Sequence, residues 1–116
     1  RTKDDELYLG HDTPDERVTL QWLKDRIEFL WIHLKDYKSL ITFCNLDDDF
    51  RYFCHQRDDF TLVSNGLVWC HKTNNKMNNK CIIPLLSLKE VEEYDQNEFY
   101  GVCSDFVQQC KEKFEA

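Results

Sequence analysis

The sequence predicts a mostly helical α+β domain that contains one β-hairpin. Apolar residues recur at spacings of three and four from Val18 to Leu34 and again from Phe99 to Phe114, as expected for amphipathic helices. Two runs of β-favouring residues flank Asn65-Gly66, a pair that tolerates positive φ and is typical of a tight hairpin turn. We therefore expect helices on both sides of a short hairpin, in a single compact domain over residues 13–116.

The first helix has a start signal. Residues 1–12 are polar and acidic, and they predict a frayed N-terminal arm. Thr13 is followed by a proline and, three residues after Thr13, by Glu16, which is the capping-box pattern with Thr13 as the N-cap. The helix is therefore predicted to begin here and to end near Tyr37.

The middle of the chain predicts two further helical pieces and the hairpin. A short helical turn is expected from Ser39, and a second helix, capped by Asn45 or Asp47, is expected through the sequence DDDFRYFCHQ. With a two-residue loop at the Asn-Gly pair, Leu62 is predicted to face Trp69 across the hairpin.

The C-terminal third begins with the polar sequence HKTNNKMNNK, which is expected to form a loop. The apolar run that follows contains Pro84 and predicts an edge strand or an extended segment. Ser87 and Glu90 form a second capping box, which predicts a short acidic helix. The periodic run from Phe99 to Phe114 then predicts a long C-terminal helix.

Charge and length exclude some classes of function. Fifteen Lys and Arg against 22 Asp and Glu give a net charge of −7, which argues against nonspecific binding to a phosphate backbone. No apolar run reaches the ~18 residues that a membrane span needs. We expect an excised part of a larger intracellular protein, cytoplasmic or nuclear.

The six cysteines allow three interpretations. Free, mostly buried thiols in a reducing compartment are favoured, because cysteine packs as a small apolar residue. Three disulfides would instead indicate a small secreted protein. A scattered zinc site is the third interpretation, with ligands from Cys54, Cys70, His71 and Cys81, although no pair has the close spacing that makes such a site specific. No cofactor is expected.

The segment FRYFCHQRDDFTLVSNGLVWC places an aromatic-rich helix before a short strand, the Asn-Gly pair and another strand. Over about residues 40–70 this order resembles the last helix and wing of winged-helix modules of the LOTUS and Egalitarian type, found in RNA-metabolism and germline regulatory proteins. The resemblance implies a winged-helix-like fold with a C-terminal helical extension. It also implies a role in docking protein partners or in contacting RNA.

The favoured function is non-catalytic protein–protein interaction through an apolar helix face. Trp22, Phe29 and Ile32 widen the apolar surface of the predicted first helix beyond one stripe, and Trp31 within the stripe offers a second aromatic anchor. We expect these four residues to contact another protein or, in a homodimer, a second copy. An enzyme is not expected, because adjacent Cys-His pairs point apart on a helix or strand and the chain has only three glycines for phosphate or oxyanion loops.

The alternative function is RNA binding through the polar loop after the hairpin. The lysines and the histidine of this loop would contact phosphates and base edges, while a tryptophan would stack on a base. The residues predicted for this role are Trp69, His71, Lys72, Lys76 and Lys80.

Overall fold

The computed structural model describes residues 1–70, 78–94 and 99–115. These residues form nine strands in three sheets and four short helices. The chain is an α+β protein, and the prediction that it is mostly helical is wrong. It divides into two compact units, unit 1 with residues 1–57 and 63–65, and unit 2 with residues 58–62 and 66–116.

Unit 1 begins with a three-stranded antiparallel sheet, formed by β1 (Thr2–Lys3), β2 (Glu6–Leu9) and β3 (Glu16–Val18). Asp4 and Asp5 connect β1 to β2 with positive φ angles of 52° and 62°. Positive φ at both central residues is the conformation of a tight hairpin turn, and aspartate tolerates it better than most residues. The expected N-terminal arm therefore supplies two of the three strands.

Unit 1 continues with α1 (Leu20–Lys24), β4 (Trp31–Leu34), α2 (Tyr37–Cys44) and β5 (Arg51–Cys54). Strands β4 and β5 pair in parallel, and α2 is the crossover that this arrangement requires. The carboxylate of Asp36 caps α2 by accepting a 2.8 Å hydrogen bond from the backbone N–H of Ser39. The predicted helical turn from Ser39 is thus part of α2.

The long helix predicted from Thr13 to Tyr37 is wrong, because its apolar residues are divided among β3, α1, β4 and the segment between α1 and β4. The continuous run Trp31–Leu34 pairs in parallel with β5 and is at least partly buried at every position. Parallel strands carry apolar residues on both faces, so such a run also satisfies a helical pattern. The first capping box is wrong as well, since Glu16 begins β3 and α1 is capped by Thr19, which accepts a 3.0 Å hydrogen bond from Trp22 N–H.

The second predicted helix is also wrong, because its sequence forms β5. Asn45, expected to begin that helix, is instead the C-cap of α2. The aromatic residues Tyr52 and Phe53 favour a strand, and pairing with β4 stabilises that conformation. A strand therefore takes the place of the helix that the winged-helix resemblance implies within residues 40–70.

The core of unit 1 takes one residue from each of four elements and one from the segment before β5. Val18 of β3, Leu23 of α1, Leu34 of β4, Phe43 of α2 and Phe50 before β5 are all buried and in contact. The rings of Phe43 and Phe50 meet edge to face, with centroids 5.2 Å apart. This cluster holds the parallel pair and both helices together.

The predicted hairpin is present in unit 2, with strands β6 (Phe60–Leu62) and β7 (Val68–Cys70). The predicted register is wrong by one residue on β7, because Leu62 faces Val68 and not Trp69. The loop is longer than the predicted two residues, and Gly66 in it has a φ of 90°.

The longer loop has a physical cause. Val63 is fully buried, and the backbone N–H of Ser64 donates a 2.8 Å hydrogen bond to the carbonyl of Tyr52 in unit 1. The Ser64 hydroxyl also donates to the carbonyl of Phe50 at 2.9 Å. These contacts hold residues 63–65 in unit 1, so β7 begins only at Val68 and the loop is longer than two residues.

Unit 2 contains a four-stranded sheet in the order β6-β7-β8-β9. The remaining elements are β8 (Cys81–Leu85), α3 (Leu88–Glu93), β9 (Gly101–Ser104) and α4 (Val107–Phe114). Strands β7, β8 and β9 are parallel, and β6 is antiparallel to β7. Helix α3 begins after Ser87, whose hydroxyl accepts a hydrogen bond from the backbone N–H of Glu90, so the predicted N-cap is confirmed. The carboxylate of Glu90 accepts a hydrogen bond from the N–H of Leu86, one residue before the N-cap.

In the C-terminal third, the predicted edge strand and the long helix are wrong, whereas the alternative of an extended segment around Pro84 is confirmed by β8. Strand β8 lies inside the sheet and not at its edge, and it tolerates Pro84 because its pairing with β7 covers only Cys81 and Ile82. Pro84 thus has only β9 beside it. The long C-terminal helix is replaced by β9 and α4, because the segment Gly101–Ser104 pairs with β8.

The core of unit 2 packs both helices against one face of the sheet. Ile83 and Leu85 of β8, Val91 of α3 and Cys110 of α4 are buried in one cluster with Phe99. Ile83 and Leu85 are each only 1% exposed. Strand β8 is therefore the centre of this core.

The two units share a strand–helix–strand motif, at residues 31–54 and 81–104. In both cases the flanking strands are parallel neighbours. In both, a polar N-cap stands at the second residue after the first strand, Asp36 in unit 1 and Ser87 in unit 2. The shared connectivity makes these two caps a matched pair for experiments.

Candidate partner-binding cleft in unit 1

The four residues predicted to bind a partner lie on α1, on β4 and between them, and not on one helix face. Trp22 belongs to α1 and is 38% exposed, and Phe29 lies in the turn before β4 and is 80% exposed. Trp31 and Ile32 are neighbours on β4 and partly buried. The prediction that these residues share one helix face is therefore wrong, because they lie on a helix, a turn and a strand.

Three of these residues, Trp22, Trp31 and Ile32, line one cleft of about 270 Å³. Its floor includes the core residues Leu34 and Phe43. The volume is slightly below the ~300–1,000 Å³ of most small-molecule pockets, so the cleft suits a single large side chain. Phe29 does not line it.

Each tryptophan of the cleft carries an arginine on its ring. The guanidinium of Arg26 lies 4.0 Å from the ring centroid of Trp22, and that of Arg51 lies 4.5 Å from the ring centroid of Trp31. Arg26 also donates to the carbonyl of Trp22 at 2.9 Å, and Arg51 donates to the carbonyl of Glu28 at 2.6 Å. Stacking and hydrogen bonding therefore hold both indole rings in place.

Arg26 and Arg51 were not singled out from the sequence. Arg26 lies four residues after Trp22, a spacing that brings two side chains together on a helix, so the contact has a local signal. Arg51 meets Trp31 only because the two residues are register partners across the parallel pair. No local pattern contains that information.

A neutral histidine also lines the cleft. The Nε2 atom of His33 donates a 2.7 Å hydrogen bond to the carbonyl of His55, and its ring stacks on Phe53 with centroids 4.7 Å apart. Burial lowers the pKa of His33, and the hydrogen bond to the carbonyl opposes this only in part. Near neutral pH the ring is therefore an uncharged part of the wall.

Two of the four zinc candidates, Cys70 and Cys81, lie side by side in unit 2. Cys54 lies on β5 in unit 1, Cys70 and Cys81 lie on neighbouring strands of unit 2, and His71 falls outside the described residues. No cluster of three or more histidine, cysteine or acidic side chains suited to a metal ion occurs in residues 1–70, 78–94 and 99–115. Burial, followed by the neighbouring Cys81 thiol, raises the pKa of Cys70 to about 12, which keeps its thiol protonated.

The cysteines form no disulfide bond, and all six lie in the part of the chain that the structure describes. Cys70, Cys81 and Cys110 are buried, whereas Cys44 and Cys103 are exposed. The thiols are thus less uniformly buried than the sequence suggested.

Of the residues predicted to contact RNA, two lie in the described part of the chain. Trp69 is on β7 and partly buried, and Lys80 is exposed just before β8. His71, Lys72 and Lys76 lie outside the described residues.

Unit 2 has a cavity of its own, of about 390 Å³, beside β9 and α4. Val102, Val107 and Phe114 give it an apolar wall, and Lys111 and Glu115 also line it. No residue predicted from the sequence to bind a partner, RNA or metal lies there.

Within residues 1–70, 78–94 and 99–115, no helix has the length and apolar character needed to cross a membrane. Comparison with protein-family models, with curated proteins and with solved structures found no match to this chain.

Proposed function

We propose that this chain is a non-catalytic protein-interaction domain whose unit 1 cleft receives one large apolar side chain from a partner protein. The observation that supports this function is that Trp22, Trp31 and Ile32 line a single cleft while Trp22 keeps 38% of its surface exposed. Partly exposed tryptophans beside a pocket are the residue type that most often dominates binding energy at protein interfaces.

The stacked arginines favour tight binding at this cleft. A side chain that is ordered before binding loses less entropy when the partner arrives. Arg26 and Arg51 restrict the rings of Trp22 and Trp31 in this way. The two tryptophan rings of the cleft are therefore ordered before a partner binds.

The chemistry of the neighbouring groups supports a non-catalytic role. A general base needs access to a substrate proton, whereas Nε2 of His33 is already bonded to the carbonyl of His55.

A selection experiment tests the function. A displayed library of random peptides would be panned against the whole chain, and the affinity of enriched peptides would be measured by calorimetry. We expect Trp22→Ala to weaken binding by more than ~1 kcal/mol, which is more than about fivefold. Ile41→Ala is the matched control, because Ile41 is 40% exposed and lies on α2 outside the cleft.

Thermal melting of both variants separates loss of binding from loss of folding. If Trp22→Ala unfolds, Arg26→Gln replaces it and should reduce affinity at an unchanged melting temperature. Peptides that bind the Trp22 and Ile41 variants equally well would contradict the proposed site. Binding of a labelled single-stranded RNA that is lost in a Lys72, Lys76 and Lys80 to alanine variant, but kept in Trp22→Ala, would instead favour the RNA-binding alternative.

A further inference from the structure

Unit 2 has an exposed edge strand with two apolar side chains. Strand β6 is first in the sheet order β6-β7-β8-β9, so only one of its two edges is paired within the sheet. Phe60 and Leu62 are 62% and 69% exposed. Because side chains alternate along a strand, these two lie on the same face.

The backbone of β6 also points hydrogen-bonding groups away from the sheet. The N–H of Val68 on β7 donates to the carbonyl of Lys80 at 2.9 Å, so it points away from β6. Val68 and its partner Leu62 are therefore a non-hydrogen-bonded pair, and by alternation so are Cys70 and Phe60.

It follows that the N–H and C=O groups of Phe60 and Leu62 point outward from the sheet edge. Among the residues that the structure describes, none bonds to these groups on that side. An edge with outward backbone donors and acceptors is a template for an added strand.

The charge beside this edge is negative. Arg57, Asp58 and Asp59 directly precede β6, all three are exposed, and none forms an ion pair within the described residues, so together they carry a net charge of −1. The chain as a whole carries a net charge of −7. An added strand that carries lysine or arginine is therefore attracted both locally and at long range.

A second copy of the chain fits this edge less well. Two copies would bring two net charges of −7 together. Pairing of two three-residue strands also covers far less than the ~1,200 Å² that a stable dimer interface usually buries. Charge complementarity thus selects a basic partner.

We propose that the β6 edge binds an extended basic segment of a partner protein by antiparallel strand addition. Two apolar residues of the segment, separated by one residue, would pack against Leu62 and Phe60. A lysine or arginine that follows them would lie near Asp58 and Asp59, because the C-terminal end of an antiparallel strand meets the start of β6. This site is in unit 2 and does not depend on the cleft of unit 1.

The test uses a synthetic peptide in which valine alternates with threonine and which ends in two lysines. Strand addition has a specific signature, because it protects the outward backbone amides of Phe60 and Leu62 from hydrogen exchange. We expect saturating peptide to slow exchange at both amides by at least about tenfold. Trp22→Ala should bind this peptide normally, so failure here and failure of the unit 1 cleft remain distinguishable.

Variants then test the side chains and the charge. Leu62→Ser should weaken peptide binding about fivefold, while Leu86→Ser, which replaces a residue 64% exposed elsewhere in unit 2, should not change it. Asp59→Asn should weaken binding and reduce its dependence on salt.

Three results would overturn the proposal. The first is equal binding of a matched peptide that ends in two glutamates. The second is unchanged exchange at the amides of Phe60 and Leu62 in the presence of peptide. The third is protection of these amides that rises with protein concentration in the absence of peptide, since this would identify a second copy as the occupant.

Discussion

The carboxylate of Asp36 joins the first strand of unit 1 to the start of α2. It accepts hydrogen bonds of 2.7 Å from the backbone N–H of Thr2, 3.1 Å from the Thr2 hydroxyl and 2.8 Å from the backbone N–H of Ser39. Partial burial acts to raise the pKa of Asp36, but these hydrogen bonds outweigh burial and lower the pKa to about 2. The ionised carboxylate is therefore the form that the fold stabilises.

We expect Asp36→Ala to lower the free energy of unfolding by about 2 kcal/mol at pH 7. Loss of the helix cap contributes ~1 kcal/mol, and the partly buried N–H of Thr2, left without its acceptor, contributes about as much. Partial exposure of the carboxylate to solvent argues against a larger value.

The sign of the pH dependence follows from the lowered pKa. The carboxylate titrates at about 2 in the folded protein and near 3.8 when unfolded. The stabilisation by Asp36 is thus fully present above about pH 4 and is lost as the pH falls towards 2. The difference in stability between the wild-type chain and Asp36→Ala should shrink over that interval.

Urea unfolding followed by circular dichroism at several pH values measures this difference. Ser87→Ala is the matched control, because Ser87 caps α3 at the corresponding place in the other motif and its hydroxyl does not titrate. Its cost of ~1 kcal/mol should show no such decline from pH 4 to pH 2. A cost for Asp36→Ala that stays constant down to pH 2, or that is absent at pH 7, would refute the reasoning.

Two further substitutions test the packing and the titration of unit 1. Gly10→Ala should lower the free energy of unfolding by ~2 kcal/mol or more, because an added Cβ would overlap the carbonyl oxygen of Thr13. Gly101→Ala should have a smaller effect, because there is open space around the position of its Cβ. Similar melting temperatures of the two variants would contradict this prediction. Burial lowers the pKa of His33, so the wild-type chain should lose stability as the pH falls below about 6.5. In urea titrations between pH 7 and pH 5, His33→Gln should reduce this loss of stability. If the free energy of unfolding depends on pH in the variant as it does in the wild-type chain, His33 is not the source of the loss.

Local signals predicted the local structures. Ser87 and Glu90 marked the start of α3 correctly, since a capping box involves only neighbouring residues. The Asn65-Gly66 pair marked the hairpin, but its register depended on Val63, which is buried in unit 1. The sequence near a turn can predict that the chain reverses, but not what the loop residues contact elsewhere.

The parallel strands were missed for a related reason. Strands β4, β8 and β9 pair with residues far along the chain, and that pairing leaves no local signal. Their apolar runs are interrupted by few polar residues, so a search for helical spacing finds matches in them. The predicted first and last helices each contain one of these strands, β4 and β9.

Three of the four residues predicted to bind a partner line the cleft, and this has a physical explanation. Trp22 and Ile32 were chosen because they lie beyond the apolar stripe that a single helix can bury, and Trp31 was chosen as an aromatic anchor within that stripe. The first reason concerns surplus apolar surface and does not depend on the helix being present. Apolar side chains that one element cannot bury must be buried elsewhere or stay exposed in any fold, and here two of them line a cleft. The contacts between arginines and tryptophan rings were not predicted. The contact between Arg51 and Trp31 has no local signal, because it requires the parallel register of β4 and β5. The apolar pattern therefore indicated three of the side chains that line the cleft, and the tertiary pairing determined how the tryptophan rings among them are held.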